Sequence, residues 1–249
     1  MEIMFLEAPF TGTVELCKKT IDYLKKNKIR NVGLYASVQF VNQLKTVEEQ
    51  LQCLNITIIS SHADRTHVPK QILGCDNDKN SLHLSDKQKE QIQLYLYIGD
   101  GKFHPLALVY AQRGEKKPKE VICNDPIAKD LTIMAVDDIK TMLARYRGSL
   151  LKFITAKTVG ILITIKPGQE HFKPALELEK QYPDKKFYFF VDNVISFDQL
   201  ENFNFIDVWV NTACPRVGFD DQEKFIKGVV NLHDAVHAVE MIDEPRNNE

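Results

Sequence analysis

The chain has 249 residues, 44% of them hydrophobic and 27% charged, with a formal net charge of −2, an ordinary composition for a globular protein of one large or two smaller domains. The balanced charge excludes a general electrostatic pull toward nucleic acid, and no apolar run approaches the ~20 residues that cross a bilayer. The start, Met1-Glu2-Ile3-Met4, has no basic stretch followed by an apolar core, and the five cysteines are odd in number without short paired spacing. Both features fit a reducing, cytoplasmic setting better than a secreted disulfide scaffold.

Apolar periodicity predicts a helix over Thr13 to Asn27, with Val14, Cys17, Ile21 and Leu24 on one face. A strand follows at Asn31 to Ser37, then a helix over Val38 to Leu54 carried by Phe40, Leu44, Val47 and Leu51. Ile56 to Ser61, Leu94 to Ile98 and Val121 to Cys123 read as strands. The pattern then restarts with a helix over Asp137 to Phe153, striped by Met142, Leu143, Tyr146 and Leu150. Strands are predicted at Thr158 to Ile165, Phe187 to Val191 and Asp207 to Val210. Helices are predicted at Phe172 to Gln181, opened by Pro174, and at Ser196 to Asn202, with Ser196 as N-cap. Apolar strands joined by helices imply parallel sheets with right-handed crossovers. The fold class is therefore α/β: two small Rossmann-like domains, 1–130 and 131–249, with parallel sheets flanked by helices. They are architectural repeats without a repeated sequence motif, and the polar tail from Asp243 is expected to fray.

Asn211-Thr212-Ala213-Cys214-Pro215-Arg216-Val217 closes the last predicted strand. Proline disfavours helix in the residue before it, so Cys214 is expected to be extended at a strand's carboxyl end, where open α/β sheets bind ligands. Cys75 sits between Gly74 and the turn-forming Asp76-Asn77-Asp78, with room to approach a metal. Cys17, Cys53 and Cys123 lie in apolar periodic runs and read as small core hydrophobes. Cys75 and Cys214 fall in different domains and could meet only at an interdomain cleft. Gly99-Asp100-Gly101-Lys102-Phe103-His104-Pro105 follows a strand. Its glycines suit a tight turn or close approach to a ligand, yet it is neither the dinucleotide fingerprint nor a Walker loop. His104 beside a proline could also simply cap that turn. Lys166-Pro167-Gly168-Gln169, Asp192-Asn193 and Asn211 end three successive strands and carry polar groups to one sheet edge. The basic run Arg113 to Lys119 reads as a solvated loop.

These motifs, with Ile72-Leu73-Gly74-Cys75-Asp76, occur in the same order and at similar spacing in the diphthamide synthases, 2-(3-amino-3-carboxypropyl)histidine synthases, which the chain resembles over nearly its whole length. The match is to the second and third of that family's three domains. The resemblance implies a [4Fe–4S] cluster held by one cysteine from each domain, Cys75 being the second ligand and Cys214 the third. Thiolates suit iron because they are soft and anionic. It further implies that Gly99, Asp100, Gly101, Phe103, His104, Lys166, Gly168, Gln169, Asp192 and Asn211 shape a site for S-adenosylmethionine. The family's reaction breaks a sulfonium C–S bond by electron transfer and adds an aminocarboxypropyl radical to a histidine of elongation factor 2. The first cysteine is then expected from a separate N-terminal domain or a homologous subunit, and an electron donor is required. No catalytic side chain is assigned, and neither membrane nor direct nucleic-acid contact is expected. A non-catalytic subunit or scaffold of a synthase complex is the alternative.

Overall fold

The computed structural model describes residues 8–166 and 171–243. The chain divides into two units, 1–138 and 139–249. The first contains α1 (Lys18–Lys26), β1 (Asn31–Ala36), a 3₁₀ turn at Val41–Gln43, α2 (Lys45–Cys53), β2 (Thr57–Ile59), α3 (Asp86–Gln91), β3 (Leu94–Ile98), α4 (Pro105–Ala111), β4 (Val121–Asp125) and β5 (Asp130–Met134). Its sheet runs β2-β1-β3-β4-β5. The first four strands are parallel and β5 is antiparallel to β4. β3 is buried along its whole length, as a central strand covered on both faces must be. One face packs Leu34, Ala36, Leu96 and Ile98 with Leu24, Val47 and Leu51 of the helices. Ser85 opens α3 with a capping box completed by Gln88.

Three local readings are corrected here. Helix α1 begins at Lys18, not Thr13, because Asn124 of β4 claims the preceding backbone: Cys17 N–H donates to Asn124 Oδ1 at 2.8 Å, and Asn124 Nδ2 donates to Glu15 O at 3.0 Å. The helix expected over Val38 to Leu54 is a 3₁₀ turn followed by α2. Strand β5 was not anticipated. Its hairpin turns on Asp125, whose carboxylate accepts from Ile127 N–H (2.8 Å) and Ala128 N–H (2.9 Å), and on Lys129 at φ 51°. Pairing of β5 with β4 carries the first unit to Asp138, past the division expected at 130.

A 3₁₀ turn at Val136–Ile139 leads to the second unit: α5 (Lys140–Thr155), β6 (Thr158–Thr164), α6 (Phe172–Gln181), β7 (Lys186–Asp192), α7 (Phe197–Leu200), β8 (Val208–Asn211), α8 (Pro215–Asp220), β9 (Val229–Asn231), α9 (Leu232–Val236) and α10 (Ala238–Asp243). Its four strands are all parallel, in the order β7-β6-β8-β9. α5 buries Tyr146, Leu150 and Phe153. Gly160 in β6 makes room for Trp209 of β8, whose ring would lie 2.3 Å from any Cβ at that position. Both sheets start in the centre, step outward once, and return to the other side of the first strand. Strand order therefore reverses between β1 and β3 and again between β6 and β8, and the crevice outside such a switch point is where α/β sheets bind ligands.

Candidate functional site

In the first unit the Cys75 segment is tied to the carboxyl end of β1. Ala36 N–H donates to Lys70 O at 2.8 Å and Ile72 N–H to Ala36 O at 3.0 Å, making an extra bridge between Ala36 and Gln71. Asp76 then closes a turn around Gly74 and Cys75: its carboxylate accepts from Leu73 N–H at 2.7 Å, and its own N–H donates to Leu73 O at 3.0 Å. Asp76 is buried, and that burial raises its carboxyl above the ordinary range despite the bond from Leu73. Cys75 is half-buried, and its sulfur accepts a hydrogen bond from the Arg65 guanidinium.

The Gly99–His104 turn leaves β3 beside that loop. Gly99 N–H donates to Asn124 O at 3.1 Å, and a Cβ at Gly99 would sit 2.5 Å from the Tyr97 hydroxyl. Gly101 takes the left-handed conformation, φ +65°, which glycine adopts without steric cost. Phe103 lies over Gly74, meets the His104 ring edge-on at 5.3 Å, and His104 in turn stacks on Tyr97 at 6.4 Å and 11°. The two motifs of this unit are thus joined by a ladder of rings. His104 precedes α4 and its side chain accepts no capping bond from the helix N–H groups; its ring stands in the ladder. Asp100 is exposed.

The remaining cysteines differ from one another. Cys123 is buried, donates to Gly99 O at 3.2 Å, and its thiol is pushed up to about 12, first by burial and then by Asp125 and Asp100. It packs under the glycine turn as a protonated thiol. Cys17 is also buried, but as the residue before α1, with its sulfur 3.2 Å from Thr20 Oγ1. Cys53 was expected in the core and is exposed. It is the last residue of α2, whose apolar face is taken by Val47 and Leu51.

In the second unit Cys214 is half-buried, extended at φ −56° and ψ 123°, and followed by Pro215 as the first residue of α8. The proline has the effect expected of it on both sides, since its fixed φ also suits a helix start. Asn211, only 1% exposed, holds this turn. Its Nδ2 donates to Cys214 O (3.0 Å) and Asn231 Oδ1 (2.9 Å), and its Oδ1 accepts from Ala213 N–H (3.1 Å). All its side-chain donors are engaged inside the fold, so Asn211 positions Cys214 and offers no spare N–H to a ligand. Asn231 extends the clamp: Nδ2 donates to Pro215 O at 2.9 Å, and its N–H donates to Tyr146 OH at 2.8 Å, while that hydroxyl donates to Asp234. Asn231, Tyr146, Asp234, and the buried Arg216 paired with Asp220 at 2.6 Å, were not singled out from sequence. Asn231 could have been, as the polar end of a short apolar run. Asp192 ends β7 exposed, with its carboxylate accepting from Asn193 N–H at 2.6 Å. Lys166 follows β6 and is exposed, whereas Gly168 and Gln169 lie outside the described residues.

Among the described residues, no group of three or more His, Cys, Asp or Glu side chains is gathered to hold a metal ion. No described helix is long and apolar enough to cross a membrane. Each unit is instead a parallel-rich sheet of one strand order, with polar turns and one half-buried cysteine at the carboxyl edge, the architecture of a ligand-binding α/β protein.

Comparison with known proteins specifies the class. Residues 2–248 match the family model described as “Putative diphthamide synthesis protein”, and the chain belongs to that family. It is 30% identical over 222 residues to a 2-(3-amino-3-carboxypropyl)histidine synthase of Pyrococcus horikoshii, covering 88% of this chain and 60% of that protein. The human synthase subunit 1 is 24% identical over 210 residues, covering 84% of this chain and 44% of that one. Among solved structures, Dph2 from Pyrococcus horikoshii with a 4Fe-4S cluster superposes with a TM-score of 0.69 at 25% identity, covering 92% of this chain and 64% of that chain. The chain thus spans 60% or less of the length of these two curated relatives.

Proposed function

We propose that the chain is a catalytic component of diphthamide biosynthesis, transferring the 3-amino-3-carboxypropyl group of S-adenosylmethionine to a histidine of elongation factor 2. The observation that carries this reading is the distribution of thiols. Each unit has one half-buried cysteine at the carboxyl end of its sheet, Cys75 and Cys214, while Cys17 and Cys123 are sequestered in packing. Membership of the family and likeness to a cluster-bearing Dph2 support assigning the two thiols to iron. Their chemistry fits that group: both are soft donors, and Cys75 already accepts a charged hydrogen bond of the kind that surrounds cluster sulfurs. When bound, the reduced cluster supplies the electron that breaks the sulfonium C–S bond. This chain's own residues hold and orient. Asn211 and Asn231 fix the turn that presents Cys214. Phe103 and His104 brace the Cys75 loop. We assign the Gly99–Gly101 turn with Asp100, and Lys166, Gly168, Gln169 and Asp192, to S-adenosylmethionine binding.

Two thiols are fewer than the four sites of a cubane, so we infer that a third is supplied from outside this stretch of sequence, by an N-terminal domain or a homologous subunit, with an external donor for the electron. In a second reading the chain is an accessory subunit of a synthase complex. Co-expression with a homologue or free domain carrying the missing thiol, followed by an anaerobic transfer assay on elongation factor 2, decides between them. Loss of cluster and transfer in Cys75→Ala or Cys214→Ala, with assembly intact, supports catalysis. Full activity in both variants makes this chain the scaffold.

A further inference from the structure

Two hydroxyls in the first unit, Ser37 Oγ and Tyr97 OH, are buried without a hydrogen-bond partner. Ser37, just past β1, is 3% exposed and Tyr97, in β3, is 0% exposed. Ser37 Oγ lies near enough to act on the phenol without meeting hydrogen-bond geometry. Native folds pair nearly all such atoms, because each one left unpaired costs on the order of 1–3 kcal/mol. Where a fold retains the cost, a functional site is the first explanation to test.

The surroundings point to a ligand. Ser37 N–H donates to Ile98 O at 3.4 Å, so the pair borders the gap between β1 and β3 where strand order reverses. Only glycine at position 99 lets the turn close over the phenol, since a Cβ there would lie 2.5 Å from its oxygen. A Cβ at Gly101 would meet nothing within 4 Å, so the turn is open at that position. The charges that act on the phenol are acidic. His104 stacks on Tyr97, and after burial it is Cys123, Asp100 and Asp125 that hold the phenol in its protonated form. Such a setting repels carboxylates and phosphates and suits a ligand hydroxyl, which both donates and accepts.

We propose that Ser37 and Tyr97 bind the ribose hydroxyls of a nucleoside ligand beneath the Gly99–Gly101 turn. This rests on the functional reading above and adds to it two residues and the part of the ligand they take.

The test is calorimetric binding of adenosine, S-adenosylhomocysteine and methionine to the full chain as wild type, Tyr97→Phe and Ser37→Ala, with melting curves of the unliganded proteins. Each variant should weaken adenosine and S-adenosylhomocysteine roughly tenfold, the loss of one good hydrogen bond, and leave methionine unchanged. Unliganded Tyr97→Phe should melt no lower than wild type, since it loses no bond. A Tyr97→Phe protein that melts several degrees lower shows the hydroxyl to be satisfied within the fold and overturns the proposal. Equal nucleoside affinity in all three proteins overturns it while leaving the functional reading intact. Binding of adenosine but not of S-adenosylhomocysteine, weakened in both variants, keeps the proposal and removes the functional reading. A wild type that binds neither overturns the proposal, and the functional reading then rests on the transfer assay of the co-expressed complex.

Discussion

The Phe103 ring fills the space that a side chain on Gly74 would need: a Cβ there would come within 2.1 Å of it. Glycine at 74 and phenylalanine at 103 are therefore one feature, which couples the Cys75 loop to the turn after β3. Gly74→Ala should push Phe103, already 49% exposed, off the loop and away from His104, at a cost on the order of 1 kcal/mol. A double-mutant cycle with Phe103→Ala by urea denaturation should show the two effects to be non-additive, as contacting residues are. Additive effects would mean that the ring and the loop are independent.

Asn211→Ala removes three hydrogen bonds at once and strands the Ala213 N–H and the Asn231 amide in a buried place. Each buried group left unpaired costs on the order of 1–3 kcal/mol, so a drop of at least ~2 kcal/mol is expected in chemical denaturation. Asn211→Asp keeps the acceptor toward Ala213 but turns a buried carboxylate on Cys214 O and Asn231 Oδ1, so it should be at least as destabilising as alanine. A neutral Asn211→Ala would mean that the Cys214 turn holds itself.

This clamp also marks where sequence reading stops. The strand ends were legible because Leu94–Ile98 and Val208–Asn211 are short apolar runs closed by Gly99 and by Cys214-Pro215, local signals of known geometry. Helix α6 was legible for the same reason. The start of α1 was not, because it is set by Asn124, more than a hundred residues downstream. Strand β5 was missed because its hairpin uses Lys129, rather than glycine or asparagine, at positive φ. Asn211 was recognised as polar at a strand end, but its task is decided by Asn231, 20 residues away. Cys53 was misplaced because helical periodicity marks a face and does not say whether the last turn still touches the core.

Stability should decline on the alkaline side. The folded protein holds Cys123 up to about 12 against an ordinary 9.0, and Tyr35 up to about 12 against 10.0, in both cases through burial. A group that keeps its proton more tightly when folded contributes stability below its unfolded pKa and loses it as pH rises toward the folded value. Urea midpoints should therefore hold to about pH 9 and fall between pH 9 and 12. Tyr35→Phe should flatten the upper part of that fall, although it also gives up the 2.7 Å bond to Ser61 Oγ. A flat profile to pH 12 would contradict the burial of these groups.

Iron should separate the cysteines into two classes. Anaerobic reconstitution of this chain alone should give a substoichiometric or labile cluster, because two thiolates leave half the iron sites of a cubane without a protein ligand. Cys75→Ala and Cys214→Ala should each abolish the iron that is retained. Cys53→Ala should change nothing, since that thiol is exposed at the end of α2. Cys123→Ala should lower stability through a small cavity and the lost contact to Gly99 O, and leave iron content alone. Iron analysis, visible absorption and paramagnetic resonance read these outcomes directly. A stable, stoichiometric [4Fe–4S] signal from the monomer would show that a further ligand lies within the chain. Cys17 is then the first residue to test, since its backbone N–H donates to Asn124 near the carboxyl end of β4.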